Sequence, residues 1–190
     1  MKLSNWCGVA ALTLTSTLLT NTVAFANPLA ELHGETYRTI SSGRFGAITL
    51  DLPRGVEDTG GWIIGSAFSN SESWGISIFR QGDIRILSLD LMLSRERHEY
   101  YNVPINEQVR MIADSTVVPL RGSTAAECQI DGVYDEEILA IADPESPFEV
   151  EWFTEFQGVW RANRKTQQLE EISADNVRCY NTGYMYGYDG

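Results

Sequence analysis

Alternation of apolar and polar residues at every second position is the dominant pattern of this chain. In one segment, four leucines alternate with residues that include Ser88 and Asp90. The leucines are Leu87, Leu89, Leu91 and Leu93. Residues 74–80 have the same period of two, and the turn between the segments contains Gly82, which adopts positive φ easily. Because successive side chains of a strand point to opposite faces, the pattern predicts a β-hairpin.

A second alternation runs through residues 148–160 and predicts one continuous strand. The side predicted to face the core carries Val150, Trp152, Thr154, Phe156 and Trp160. The side predicted to face solvent carries Glu149, Glu151, Glu155 and Gln157, together with Phe153. A polar turn at residues 163–166 then leads into residues 167–172, which predicts a second hairpin.

Shorter apolar segments, separated by turns rich in Gly, Pro and Asp, predict further strands. These segments are residues 37–40, 46–52, 62–68, 109–113, 117–120, 127–130 and 138–142. Helix is expected only at residues 28–32 and 95–100. Many short strands at this spacing predict an all-β fold, a single antiparallel sandwich or open barrel with little helix.

The N-terminus has the features of a cleavable secretory signal peptide. Lys2 precedes an uncharged, largely apolar stretch at residues 9–19, and the segment ends in the small-x-small sequence Ala24-Phe25-Ala26. Threonines dilute the apolar stretch below what a membrane span needs. We expect cleavage after Ala26 and a single β-rich domain at residues 27–190. The localisation predicted is periplasmic or extracellular.

The charge of the chain limits its partners. The formal net charge is −12, which repels nucleic acid and anionic lipid surfaces. We expect no nucleic acid and no membrane insertion after signal cleavage, but an envelope or extracellular partner. An acidic surface favours cations or basic partners, and the alternative is that it serves solubility alone.

Cysteine usage fits export. Cys7 leaves with the signal peptide, so Cys128 and Cys179 remain as an even pair in an oxidising compartment. We predict a disulfide between them. No C-x-x-C motif is present, which disfavours a redox function.

Catalytic motifs are absent from the sequence, and its two histidines, His33 and His98, do not form a recognisable triad or zinc motif. Carboxylates are plentiful, however. Glycoside hydrolysis uses a pair of carboxyl groups across a cleft, and Glu149, Glu151 and Glu155 have a suitable spacing on a strand. A solvated face is the alternative interpretation.

Two further groups of residues are candidate binding sites. Calcium prefers oxygen ligands in acidic loops, which makes Asp131, Asp135 and Asp143 candidates; ordinary acidic turns are the alternative, and no other cofactor is expected. In an extended tail, the rings of Tyr184, Tyr186 and Tyr188 would share one face and form a stacking platform for a sugar or a partner. A frayed terminus from about residue 181 is the alternative that we favour.

The C-terminal part, about residues 125–180, resembles small exported cyanobacterial proteins of unassigned function. The segments that carry the resemblance are Asp135-Glu136-Glu137-Ile138-Leu139-Ala140-Ile141, Glu151-Trp152-Phe153-Thr154, Trp160-Arg161-Ala162-Asn163, Glu171-Ile172-Ser173 and Val177-Arg178-Cys179. The resemblance implies a bacterial envelope setting and brings no catalytic residues. Together, the sequence predicts an exported acidic domain that acts as a non-enzymatic binding or surface-association module. The alternative is an envelope glycan hydrolase that uses a carboxylate pair.

Overall fold

A computed structural model describes residues 32–42, 46–65, 73–100 and 102–184, so the predicted signal peptide lies outside the described residues. The described chain is antiparallel β throughout its three sheets, which confirms the all-β prediction. The strands are β1 (Thr36–Ser42), β2 (Gly46–Leu50), β3 (Val56–Ile64), β4 (Trp74–Gln81), β5 (Ile84–Tyr100), β6 (Val103–Val118), β7 (Thr124–Ala125), β8 (Cys128–Ile130), β9 (Val133–Tyr134), β10 (Ile138–Ala142), β11 (Trp152–Phe153), β12 (Phe156–Asn163), β13 (Gln168–Ile172) and β14 (Val177–Tyr180).

The largest sheet has six strands in the order β2-β1-β6-β5-β4-β3 and curls into a half-barrel. Its two edge strands approach each other closely enough for Thr49 of β2 to donate a hydrogen bond to the carboxylate of Asp58 on β3. The concave face is lined by an apolar cluster that includes Tyr37, Phe79 and Ile86. The half-barrel therefore has an interior that is distinct from the rest of the core.

The second sheet, β13-β12-β10-β7, is buried on both faces. The residues that pack toward the half-barrel are Leu139, Ile141, Trp160 and Ala162. Those that pack the other way, toward the third sheet, are Ile138, Ala140, Ala142 and Val159. Strand β10 is consequently buried at every position, as expected for a short apolar run between two layers. The molecule is a stack of three β layers.

The third sheet has the order β11-β14-β8-β9 and contains the disulfide. Cys128 of β8 and Cys179 of β14 are directly opposite each other in the pairing register and are covalently joined. The predicted disulfide is confirmed. Both cysteines are fully buried against the second sheet. The bond is consistent with an oxidising, exported location.

The prediction of one strand across residues 148–160 is wrong. The chain leaves the third sheet after β11 and enters the second sheet at β12, so the alternation does not keep one register. As a result Phe153, predicted to face solvent, is buried in the core. Trp152 and Phe156, predicted to be buried, are half-buried, whereas Trp160 is buried as predicted. The hairpin that follows, β12–β13, is confirmed.

The other local predictions have mixed outcomes. The hairpin β4–β5 is confirmed, with Gly82 at a φ of 58°. The helix expected at residues 95–100 is wrong, because β5 continues to Tyr100 in register with β6. Residues 109–113 and 117–120 were predicted as two strands, but residues 109–113 and 117–118 belong to the single long strand β6, which ends at Val118. Backbone pairing along the 17-residue strand β5 outweighs the charged composition of residues 95–100.

Candidate functional site

The outer face of the third sheet carries a group of aromatic and planar polar side chains. Since Phe153, Cys128 and Cys179 point inward, the residues that alternate with them point outward. We call this surface the aromatic face. Its members are Gln129, Tyr134, Trp152, Arg178 and Tyr180.

The side chains of the aromatic face hold one another in place. Trp152 and Tyr180 are opposite each other on β11 and β14, with ring centroids 5.5 Å apart and planes at 74°. The guanidinium carbon of Arg178 lies 4.5 Å from the centroid of the Trp152 ring. Its Nε donates to Oε1 of Gln129 at 2.9 Å, a bond that does not use the two terminal nitrogens. Edge-to-face rings and a guanidinium over an indole are favourable arrangements that fix side-chain rotamers.

Three aromatic side chains of the C-terminal region, one of them in the aromatic face, are largely exposed. Tyr134 at the β9 edge is 59% exposed, Phe148 is 68% exposed and Tyr184 is 46% exposed. Partial desolvation, followed by the charge of nearby Glu136, raises the pKa of Tyr134 above its ordinary value.

Hydrogen bonds of Asn181 hold the segment that follows β14. The side-chain amide of Asn181 donates to the carbonyl oxygens of Phe148 and Val150, at 2.8 and 2.9 Å. These bonds join the segment before β11 to the segment after β14. Of the predicted tyrosine platform, Tyr184 is exposed in a turn, while Tyr186 and Tyr188 lie outside the described residues.

The sequence interpretation missed the members of the aromatic face. The sequence pattern places Trp152 in the core, because in one continuous strand it would share a face with Trp160. The disulfide carries a signal for the correct direction: side chains bridged between neighbouring strands share one face of the sheet, here the core face, so the residues adjacent to Cys179 lie on the opposite face. Arg178 and Tyr180 are those residues, and Trp152 is paired with Tyr180.

The three aspartates predicted to bind calcium are not brought together. Asp131 lies in the β8–β9 turn, Asp135 forms an ion pair with Arg161 at 3.0 Å, and Asp143 accepts the backbone N–H of Glu145. Across the described ranges, no group of three or more His, Cys, Asp or Glu side chains could hold a metal ion.

The carboxylates considered for glycan hydrolysis are all exposed. Glu149 and Glu151 precede β11, and Glu155 lies between β11 and β12. Because no single strand carries them, their predicted arrangement on one strand face is wrong.

A second constellation, the Asp90 cluster, lies inside the half-barrel. Asp90 is fully buried and accepts hydrogen bonds from the hydroxyl groups of Tyr37, Ser77 and Ser88. The Tyr37 and Ser77 oxygens lie 2.7 and 2.5 Å from Oδ2. Burial raises the pKa of Asp90, while its hydroxyl donors and the more distant Arg110 oppose that shift. Ser88 and Asp90 do lie on the face opposite the leucines, as predicted, but that face is interior.

Arg110 completes the Asp90 cluster. Its Nη1 lies 3.9 Å from the Asp90 carboxylate, and its Nε and Nη2 donate to Oε1 of Gln108 at 3.1 and 2.8 Å. A side chain at Gly75 would begin 3.0 Å from Arg110 Nη1, so the glycine makes room for the guanidinium. The members of the cluster satisfy one another, which is what a buried polar network requires.

Comparisons of this chain with family models, curated proteins and solved structures gave no match. Its class therefore rests on its own geometry: a three-layered antiparallel β protein with a half-barrel and an aromatic outer sheet. Within the residues that the structure describes, we find no helical segment with the length and apolarity needed to cross a lipid bilayer.

Proposed function

We propose that this protein is an exported, non-enzymatic binding module whose aromatic face takes up the sugar rings of an envelope or extracellular glycan. The observation that carries the proposal is the assembly of Trp152, Tyr180, Arg178 and Gln129 on one outward surface. These side chains have neutral or aromatic partners and lie outside the three-layered core.

The chemistry of the aromatic face suits a sugar. The C–H face of a pyranose ring is apolar and packs on flat aromatic surfaces, and tyrosine and tryptophan supply such surfaces together with a polar edge. Guanidinium and amide groups supply planar donors and acceptors for the ring hydroxyls. Because Trp152, Tyr180 and Arg178 already hold one another, little side-chain entropy would be lost on binding.

Export is part of the proposal. The disulfide supports an oxidising compartment, and we propose that residues 1–26 are removed as a signal peptide. The intact mass of the exported protein should correspond to a chain that begins at Asn27. A mass that retains residues 1–26 would contradict this.

Glycan binding can be tested by co-sedimentation of the purified protein with insoluble peptidoglycan and cellulose, followed by calorimetry with soluble oligosaccharides. We expect Trp152→Ala to weaken binding at least tenfold, equivalent to about 1.4 kcal/mol, with a similar loss for Tyr180→Ala. Leu93→Ala is the matched control, because Leu93 is 50% exposed on a different sheet. Wild-type affinity in Trp152→Ala, or equal losses in Leu93→Ala, would overturn the proposal.

The hydrolase alternative makes a different prediction with the same substrates. A carboxylate-pair enzyme would release soluble sugars from the glycan, and Glu151→Gln or Glu155→Gln would stop that release without reducing co-sedimentation. The binding module would release none. Chromatography of the supernatant therefore distinguishes the two functions.

A further inference from the structure

Two arginines face each other at one end of the half-barrel. Arg80 on β4 and Arg85 on β5 are direct partners in the antiparallel register. They share the face that carries Leu87 and packs toward the second sheet. Like charges directly opposite in a sheet repel and destabilise it, so their placement requires an explanation.

The two arginines differ in their partners. Arg80 forms an ion pair with Glu57, with 2.7 Å between Nη2 and Oε2, and its side chain is 54% exposed. Arg85 is half-buried and donates only to neutral groups: the carbonyl oxygens of Gly122 and Pro119, and the hydroxyl of Thr124. Among the described residues, no carboxylate lies within ion-pair distance of Arg85. Burial accordingly lowers the pKa of its guanidinium.

Among the half-buried arginines that the structure describes, Arg85 alone has no carboxylate within ion-pair distance. Arg38, Arg161 and Arg164 each lie within ion-pair distance of two carboxylates. A half-buried cation without a counter-charge is costly unless hydrogen bonds or an added anion compensate it. The backbone carbonyls fix the Arg85 guanidinium in position but leave its charge unpaired.

A recess of about 340 Å³ lies between the arginines, lined by Thr59, Arg80, Arg85, Leu120 and Gly122. The turn that contains Gly122 has a fixed shape: Gly122 has a φ of 99°, and a side chain there would meet the carbonyl oxygen of Ala142 at 2.1 Å. The turn that lines the recess through Gly122 thus also accepts the hydrogen bonds of Arg85. Its volume is ample for a phosphate or carboxylate group.

We infer that the recess between Arg80 and Arg85 is a binding site for a small oxyanion, a phosphate or carboxylate that bridges the two guanidinium groups. Guanidinium groups bind such anions through paired, charge-assisted hydrogen bonds. The anion supplies the negative counter-charge that Arg85 lacks. It also offsets the repulsion between the Arg80 and Arg85 guanidinium groups. Glu57 competes with it for Arg80. The site is separate from the aromatic face and does not depend on glycan binding.

The experiment is a titration of the purified protein with sodium phosphate against sodium chloride at matched ionic strength. Binding is measured by the change in melting temperature and by the chemical-shift changes of backbone amides in NMR spectra. We expect a saturable rise in Tm with phosphate, as for any ligand that binds the native state alone. The largest amide shifts should fall at Thr59 and Gly122. Sodium acetate and glucose 6-phosphate test a carboxylate and a phosphate carried on a sugar.

Two variants test the assignment without disturbing Arg85. Arg80→Gln should weaken phosphate binding at least tenfold, whereas Glu57→Gln should strengthen it severalfold, because it frees Arg80. Arg54→Gln is the control: it removes the same charge from an exposed position outside the recess lining. Stronger binding of glucose 6-phosphate than of phosphate would support a phosphate on a larger molecule, and the reverse order would support the free ion. No effect beyond chloride, or equal losses in Arg80→Gln and Arg54→Gln, would overturn the inference.

Discussion

The interior of the half-barrel and the outer face of the third sheet both reverse the usual placement of side chains. The half-barrel buries a carboxylate, three hydroxyl groups and a guanidinium around Asp90. The third sheet instead places Trp152 and Tyr180 on the outside. In the first region the polar groups satisfy one another and Asp90 has no exposed surface. In the second region the rings support one another while part of their surface stays in contact with solvent.

This difference separates a structural cluster from a candidate binding surface. A buried polar group without a partner costs about 1–3 kcal/mol, so a network such as the Asp90 cluster must be complete to be tolerated. Aromatic surface that stays exposed does not contribute the hydrophobic free energy of about 25 cal/mol that each buried Å² would give. That loss is recovered when a ligand covers the rings. We therefore expect substitutions in the first region to affect stability and substitutions in the second to affect binding.

The largest effect is expected from Asp90→Ala. Removing the carboxylate leaves the buried hydroxyl groups of Tyr37, Ser77 and Ser88 without their shared acceptor. It also removes the counter-charge nearest to the Arg110 guanidinium. We expect a loss of about 3–5 kcal/mol in the free energy of unfolding, measured by urea denaturation. Asp90→Asn, which keeps an acceptor oxygen, should lose less. A loss below 1 kcal/mol in Asp90→Ala would mean that the cluster does not stabilise the half-barrel.

Cys179→Ser should have the next largest effect. The Cys128–Cys179 bond closes a loop across 51 positions of sequence, and losing a native bridge from a small exported domain costs about 2–5 kcal/mol. Urea denaturation of the variant and of the reduced wild type should give the same midpoint. The denatured, unreduced wild type should contain no free thiol. Reduction without a change in midpoint would contradict the prediction.

A smaller, pH-dependent effect should come from the titration of Asp90. An unfolded aspartate titrates near pH 3.9, and burial raises the pKa of Asp90 in the native state. Between these two pKa values the native protein holds a proton that the unfolded chain has lost. Stability from this group is therefore complete below about pH 3.9 and is lost as the pH rises through the native pKa, by up to about 1.4 kcal/mol per pH unit.

Asp90→Asn isolates this contribution from that of the other carboxylates. The difference in free energy of unfolding between wild type and Asp90→Asn should shift in favour of the variant as the pH rises above about 4. The measurement is a series of urea denaturation curves between pH 3 and pH 8. A difference that does not change with pH would show that the native pKa of Asp90 is not raised.

The two regions also differ in how far the sequence predicts them. The hairpin β4–β5 was predictable because its alternation, its turn at Gly82 and its pairing all lie within one local segment. The interior position of Asp90 was not predictable. Alternation marks its side of the strand as polar, but curling of the sheet encloses that side. The break between β11 and β12 was not predictable either. The two strands are close in sequence but belong to different sheets, and a period of two does not indicate which sheet a strand joins.

The smallest effect should come from the acidic residues that border β11. Glu151 and Glu155 contribute to the fold through their backbone carbonyl oxygens, which accept the N–H groups of Asn181 and Asp143 at 2.9 Å. Their side chains are exposed. Glu151→Ala and Glu155→Ala retain both backbone bonds, so each should change the free energy of unfolding by no more than about 0.5 kcal/mol in urea denaturation. A larger loss would mean that these carboxylates stabilise the third sheet, and the contrast between a structural interior and a binding exterior would then not hold at β11.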